Sequence, residues 1–299
     1  MIKDQGIAER VADTQQVPAA LLTEKPPFPA RLKIELTARC DLQCYFCSLT
    51  YKARTKGDID SGLLYRILRE ARQLGVQDLG LFWLGEPLLV KELPEYVACA
   101  KAIGIPYVFI TTNGRRATPE RMRQLMASGI DSIKFSFNAV TREQYLAVTG
   151  VDAFDQVVDN IRAAWTMRGD RRMPKLYAST VCDRATGGDF EAAHQLIGAY
   201  VDQHYPLRRY GVQASESRDT RILSDMLPCW SLFTEPHISY DGHMSACFCD
   251  HDPKFHMGDL HVMSLIEAWH SPQFVELRKR HLSKDIKGTP CAECIAYAH

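Results

Sequence analysis

The chain has 299 residues, with 36 basic and 36 acidic side chains, 46% hydrophobic and 24% charged content. That length suits one large α/β unit with a smaller appendage and buries an ample core without crosslinks. Balanced charge offers no footprint for nucleic acid or an anionic membrane, no run approaches 18 apolar residues, and the polar N-terminus lacks the apolar stretch of a secretory signal. Ten cysteines in such a chain point to metal or redox chemistry in a reducing cytosol rather than to disulfides.

Residues 1–30 are polar, then proline-rich ("EKPPFPA"), and read as an extended arm. Apolar runs then alternate with amphipathic patterns. Strands are expected at 31–37, 78–85, 106–114, 132–139, 175–182 and 209–215, and helices at 60–75, 93–104, 118–129, 153–167 and 189–203. Asp60 or Ser61 caps the first helix, and Thr118 followed by Pro119 opens the third. Strict alternation implies a parallel sheet with helical crossovers. Six units fall short of a closed eight-stranded barrel, so the expected fold is an α/β partial (β/α)6 barrel with its site at the strand C-terminal ends. It spans 31–220. The texture changes near 220, and residues 221–299, with their cysteines, histidines and a "YDGH" turn, form a second, smaller module with a helix near 264–282. Basic clusters at 168–175 and 207–209 read as solvated faces.

"CDLQCYFC" sets Cys40, Cys44 and Cys47 in a C-x3-C-x2-C pattern directly after the first strand. Three thiolates in one loop suit three corners of a four-iron cluster, leaving one iron open to chelate a ligand. Zinc would need a fourth donor. In the second module, Cys291 and Cys294 form a C-x2-C pair, and the Asp241–Gly242 turn between Cys229 and Cys247 suggests a hairpin that brings those two together. Cys229, Cys247, Cys291 and Cys294 make four ligands for one metal site, and composition alone allows structural zinc there. Cys99 and Cys182 read as packing residues, and the histidines and Asp250, Asp252 and Asp259 as loop polarity.

Over residues 31–215 the sequence resembles the radical S-adenosylmethionine (SAM) enzymes. The cysteine triple carries the resemblance, with Phe46 before its last member, "LGEP" (84–87) after the second strand, "TTNG" (111–114) after the third and "SFN" (136–138) after the fourth. Leu84 stands where relatives more often have glycine. The resemblance makes Phe46, Gly85, Glu86, Thr112, Asn113, Ser136 and Asn138 candidates for holding SAM. It implies a 5′-deoxyadenosyl radical chemistry that needs an external one-electron reductant of the flavodoxin or ferredoxin type. The later cysteines resemble the twitch module, a short SPASM-type extension that holds an auxiliary [4Fe-4S] cluster. The implied cofactors are thus two [4Fe-4S] clusters and SAM.

One of Cys247 and Cys249 is left over; either could be the ligand, and the "DGxxxxC" spacing of related modules favours Cys247, which leaves Cys249 spare. In an extended strand it would share a face with Cys247, about 7 Å away, near both the auxiliary cluster and the barrel mouth. A thiol there can return a hydrogen atom to a substrate carbon, which makes Cys249 the catalytic candidate of an epimerase. The spare thiol and the chain length resemble radical SAM epimerases of aminoglycoside antibiotic biosynthesis, implying a polycationic pseudo-oligosaccharide substrate. Three rivals remain: a twitch-type alcohol dehydrogenase that needs no donor thiol, a peptide-modifying maturase, for which 30 N-terminal residues are too few to bind a leader, and a non-catalytic zinc or electron-carrying protein.

Overall fold

A computed structural model describes residues 5–51, 55–182, 189–208, 227–249 and 255–294. The expected strand at 209–215, the module boundary near 220, and Asp250 and Asp252 lie outside these residues.

Helix α1 (Ile7–Gln15) comes first, followed by β1 (Arg31–Ile34), α2 (Ser48–Tyr51), α3 (Ser61–Gln73), β2 (Asp78–Gly80), α4 (Leu93–Ala102), β3 (Tyr107–Thr112), α5 (Pro119–Ala127) and β4 (Ser132–Ser136). Then come α6 (Arg142–Thr149), α7 (Phe154–Arg168), β5 (Lys175–Cys182), α8 (Phe190–Ile197) and β6 (Gln203–Arg208). The C-terminal part holds α9 (Ser231–Thr234), β7 (His237–Ile238), β8 (His243–Ser245), β9 (His256–Asp259), α10 (Leu265–Trp269) and α11 (Pro272–Leu282). Strands β1 to β6 are parallel and pair in sequence order, as the β/α alternation requires. The sheet runs β6-β5-β4-β3-β2-β1-β7-β8-β9 with β6 and β9 at its ends, an open, partial barrel. No helix among the described residues is long and apolar enough to cross a membrane.

The expected caps form: Asp60 accepts from Leu63 N–H, and Thr118 from Arg121 N–H. Several features differ from expectation. The arm begins as a helix, because Ile7, Arg10, Val11 and Thr14 recur at i, i+3, i+4 and i+7 and lay one face against the barrel. Helix α6 was not expected, although Thr141 caps its start and Gly150, at φ +71°, its end. The sixth strand lies at 203–208 and contains Pro206, which an edge strand tolerates: among the described residues β6 pairs on one side alone, with β5. Arg168, expected on a solvated face, is buried and paired with Asp202.

Beyond residue 229 the chain continues the same sheet. Strand β7 lies parallel to β1, and β7 and β8 form an antiparallel hairpin. Its turn uses Gly242 at φ +81°, as the Asp-Gly pair predicts. The expected helix at 264–282 breaks into α10 and α11 where Ser271 caps a new start with Pro272 behind it. The proline arm is tied to this module: Trp269 Nε1 donates to the carbonyls of Pro26 and Pro27 at 3.1 and 3.2 Å.

Candidate functional site

The loop bearing Cys40, Cys44 and Cys47 leaves β1 at the C-terminal end of the sheet and is pinned from three sides. From the β2 end, Glu86 N–H donates to the Arg39 carbonyl at 2.8 Å. A Cβ on Gly85 would stand 1.9 Å from the Thr37 carbonyl oxygen, so only glycine lets these two segments touch. From the β3 end, Asn113 Nδ2 donates to Asp41 at 2.9 Å, and Arg115 and Arg116 pair with the same carboxylate at 3.2 and 3.0 Å. From the C-terminal turn of α6, the carbonyls of Thr149 and Val148 accept from Gln43 and Tyr45 N–H at 2.8 and 3.0 Å.

Glu86 organises this end of the barrel. Its carboxylate is buried and accepts from Leu88 N–H at 2.9 Å, Thr112 Oγ1 at 2.7 Å and Asn113 N–H at 2.7 Å. Burial raises its pKa to about 7 against the pull of those donors. Both oxygens accept from the chain, and through them Glu86 shapes the "TTNG" turn. Asn138 Oδ1 likewise accepts from Val181 N–H at 2.9 Å, joining the ends of β4 and β5. Ser136 ends β4 opposite Ser179, and Phe46 meets Tyr45 edge-on at 5.2 Å.

Burial, with smaller contributions from nearby anions and thiols, pushes Cys40 and Cys44 up to about 12 and raises Cys47. Cys44 is raised by both Cys47 and Cys40, so the three thiols are mutual neighbours. Thiolates crowded in a low-dielectric loop are unfavourable alone and favourable on a cationic centre, so the donor set fits an iron–sulfur cluster.

The later cysteines also converge. Cys291 is raised by burial and then by Cys247, Cys229 and Cys294. Cys249 is raised well above the usual thiol range, first by a hydrogen bond with Cys247, then by burial and by Cys247, Cys294 and Cys229. Five thiols thus share one region. The extended-strand placement of Cys249 does not hold: residues 248–249 form a turn, and Cys249 N–H donates to Cys247 Sγ at 3.3 Å. Among the described residues, no three His, Cys, Asp or Glu side chains meet the geometry of a single metal ion. Cys99 is half-buried on α4 against the core, and Cys182 ends β5 with its thiol directed to the Thr180 carbonyl. Both remain outside the two thiol groups.

A cavity of about 270 Å³ occupies the barrel interior. Phe82, Phe109, Leu207, Trp230 and Phe248 supply apolar wall, Lys33, Thr111, Lys134, Tyr205 and Glu235 polar wall, and α1 closes one side. Arg10 pairs with Asp78 and Lys33 with Glu235, each at 2.6 Å. Lys134 donates to Tyr205 Oη at 3.3 Å, and burial lowers its pKa to about 8. Phe248, between Cys247 and Cys249, is clamped to this wall: it stacks on Trp230 at 5.1 Å, and its carbonyl accepts from Trp83 Nε1 at 2.9 Å. Motif reading missed these residues. The available signal was a charged side chain at an alternate position of an otherwise apolar strand, as in "RLKIELT" and "SIKFSFN".

With this geometry in view, comparison with known proteins is specific at the level of domains. Residues 34–169 match the radical SAM superfamily, and residues 229–295 match SPASM, an iron–sulfur cluster-binding domain. The chain therefore carries a radical SAM domain and a SPASM-type module, whose cofactors are SAM and two [4Fe-4S] clusters. It is 33% identical over 133 residues to a probable GTP 3′,8-cyclase of Saccharolobus solfataricus, a match covering 44% of this chain and 42% of that protein. A protein of the same name from Metallosphaera sedula is 34% identical over 137 residues, with the same coverage. The match spans less than half the length of these curated relatives. Among solved structures, BtrN in complex with AdoMet and 2-DOIA superposes with TM-score 0.59 at 16% identity, covering 89% of this chain and 92% of that one. Native anSMEcpe with bound AdoMet gives 0.64 at 13% identity, covering 84% and 83%. Both show the fold.

Proposed function

We propose that this radical SAM protein is an epimerase that inverts one sugar carbon of an aminoglycoside, in the manner of neomycin C to neomycin B, with Cys249 returning the hydrogen atom. The reading draws on a whole-chain resemblance to neomycin C epimerase. The observation that carries it is the Cys247–Phe248–Cys249 turn: the Phe248 ring lines the barrel cavity, and Cys249, the next residue, is folded back with its N–H on Cys247 Sγ.

When bound, the clusters and SAM supply a 5′-deoxyadenosyl radical that removes one hydrogen atom from a substrate C–H bond. The chain does the rest. Aromatic walls at Phe82, Phe109, Trp230 and Phe248 exclude water and offer faces to a sugar ring. The cavity is near the lower end of small-ligand sites, which suits entry of one terminal ring. Its acids Asp78 and Glu235 are already paired, so a substrate ammonium meets hydroxyls and the amine of Lys134, which accepts a hydrogen bond when neutral. Cys249 then gives a hydrogen atom to the face opposite the abstraction. The S–H bond breaks, a C–H bond forms with inverted configuration, and the sulfur radical regains one electron and one proton, the electron coming ultimately from the external reductant.

Turnover in heavy water tests this. The thiol exchanges with solvent, so one deuterium is expected at the inverted carbon. Cys249→Ala should still form 5′-deoxyadenosine and give no inverted product; full activity in that variant sinks the proposal.

A second reading, an alcohol dehydrogenase, draws on the interaction of Cys249 with Cys247, Cys294 and Cys229. If Cys249 serves as a ligand, no donor thiol remains, and the product is a ketone two hydrogens lighter, without solvent deuterium.

A further inference from the structure

Helix α6 carries a buried group that the chemistry above does not use. Tyr145 is 2% exposed, and its hydroxyl has no hydrogen-bond partner among the described residues. Tyr145 lies three and four residues before Val148 and Thr149, the two residues whose carbonyls hold the cysteine loop, so all three share one face of the helix. Its ring packs on Phe154 at 6.2 Å. The N–H groups that those two carbonyls hold belong to Gln43 and Tyr45, on either side of Cys44, so this face of α6 lies on the Cys44 segment. The hydroxyl is buried, with Cys44, Asp41, Arg115 and Cys40 as its ionisable neighbours. A buried O–H without an acceptor is costly, and an acceptor supplied on cofactor loading removes that cost.

We propose that Tyr145 donates its O–H to the Cys44 thiolate of the loaded SAM-binding cluster and thereby sets that cluster's reduction potential. One-electron reduction adds negative charge to the cluster and its thiolates. A donor aimed at a ligand sulfur stabilises the reduced form more than the oxidised one and raises the potential. Asn113 Nδ2, 3.8 Å from Cys40 Sγ, acts in the same sense from the opposite side of the loop. Tyr145 is thus a positioning and tuning residue, and it does not line the barrel cavity.

The test is a redox titration of the reconstituted holoenzyme followed by electron paramagnetic resonance. The signal that changes on SAM addition identifies the barrel cluster. In Tyr145→Phe the reduced-to-oxidised ratio of that signal at a fixed potential should fall roughly fivefold, the scale of one net hydrogen bond. At about 59 mV per decade this is a shift of about 40 mV downward. The auxiliary cluster should keep its potential, and Tyr145→His, which retains a donor, should recover most of the shift. An unchanged midpoint in Tyr145→Phe at full iron content overturns the proposal. So does loss of the cluster from that variant, because the role is then structural. The readout needs no substrate, so it is independent of whether the product is an epimer or a ketone.

Discussion

The two thiol groups are built in opposite ways. Cys40, Cys44 and Cys47 come from one eight-residue segment, and three separate elements grip that segment by backbone and carboxylate bonds. The later five come from Cys229, from the turn at 247–249 and from 291–294, and meet only after a hairpin and two helices have formed. A local loop has its spacing written into the chain. A site assembled from distant segments depends on everything that closes the intervening loops. The counts differ too: three thiols leave an iron open for SAM, whereas five exceed the four that a closed cluster takes.

The sharpest way to break this comparison is to remove one thiol from each group. Cys44→Ala should halve the iron content, from about eight to about four per chain, and abolish SAM cleavage. Cys291→Ala should lose the same amount of iron from the other site and retain SAM cleavage. Iron analysis and 5′-deoxyadenosine assay read both, and equal loss of cleavage would show that the sites are not separable.

Gly85 tests how tightly the first loop is held. Gly85→Ala drives a methyl group into the Thr37 carbonyl, and nearby backbone leaves little room to relax. A loss of about 2–4 kcal/mol in unfolding free energy is expected, measured by denaturant titration. A smaller loss comes from Asp41→Asn, which weakens two partly exposed ion pairs at the same loop: about 1 kcal/mol, shrinking at high salt.

Lys134 changes no thiol or loop contact and shows only as a pH dependence that reports on the barrel cavity. Its folded-state pKa of about 8 lies below the ordinary 10.5. Between these values the unfolded chain binds the extra proton, so stability rises with pH from about 8 to 10.5 and is lower below 8. Lys134→Met should flatten that part of the pH–stability curve. For a cationic substrate, KM in the native enzyme should also fall as pH rises through 8.

Much of the barrel was legible because parallel β/α units announce themselves by apolar runs and capped amphipathic helices. The first cysteine loop, its flanking motifs and the Asp-Gly hairpin were legible for the same reason: each is local. Helix α1 was hidden by its polarity and β6 by Pro206, since both are stabilised by docking against the barrel rather than by their own pattern.

What the chain alone determined, then, is the chemistry on offer: ten thiols, three in a cluster-type loop and five after residue 220. Tertiary structure decided how they are used. It bonded Glu86 to the "TTNG" turn, folded Cys249 back onto Cys247 and turned Phe248 into the cavity wall. Spacing specifies which groups share a segment. Only packing specifies which surface a side chain faces and which partners satisfy its polar atoms, because many of those partners come from other elements, as Asn113 does for Glu86 and Trp83 for Phe248.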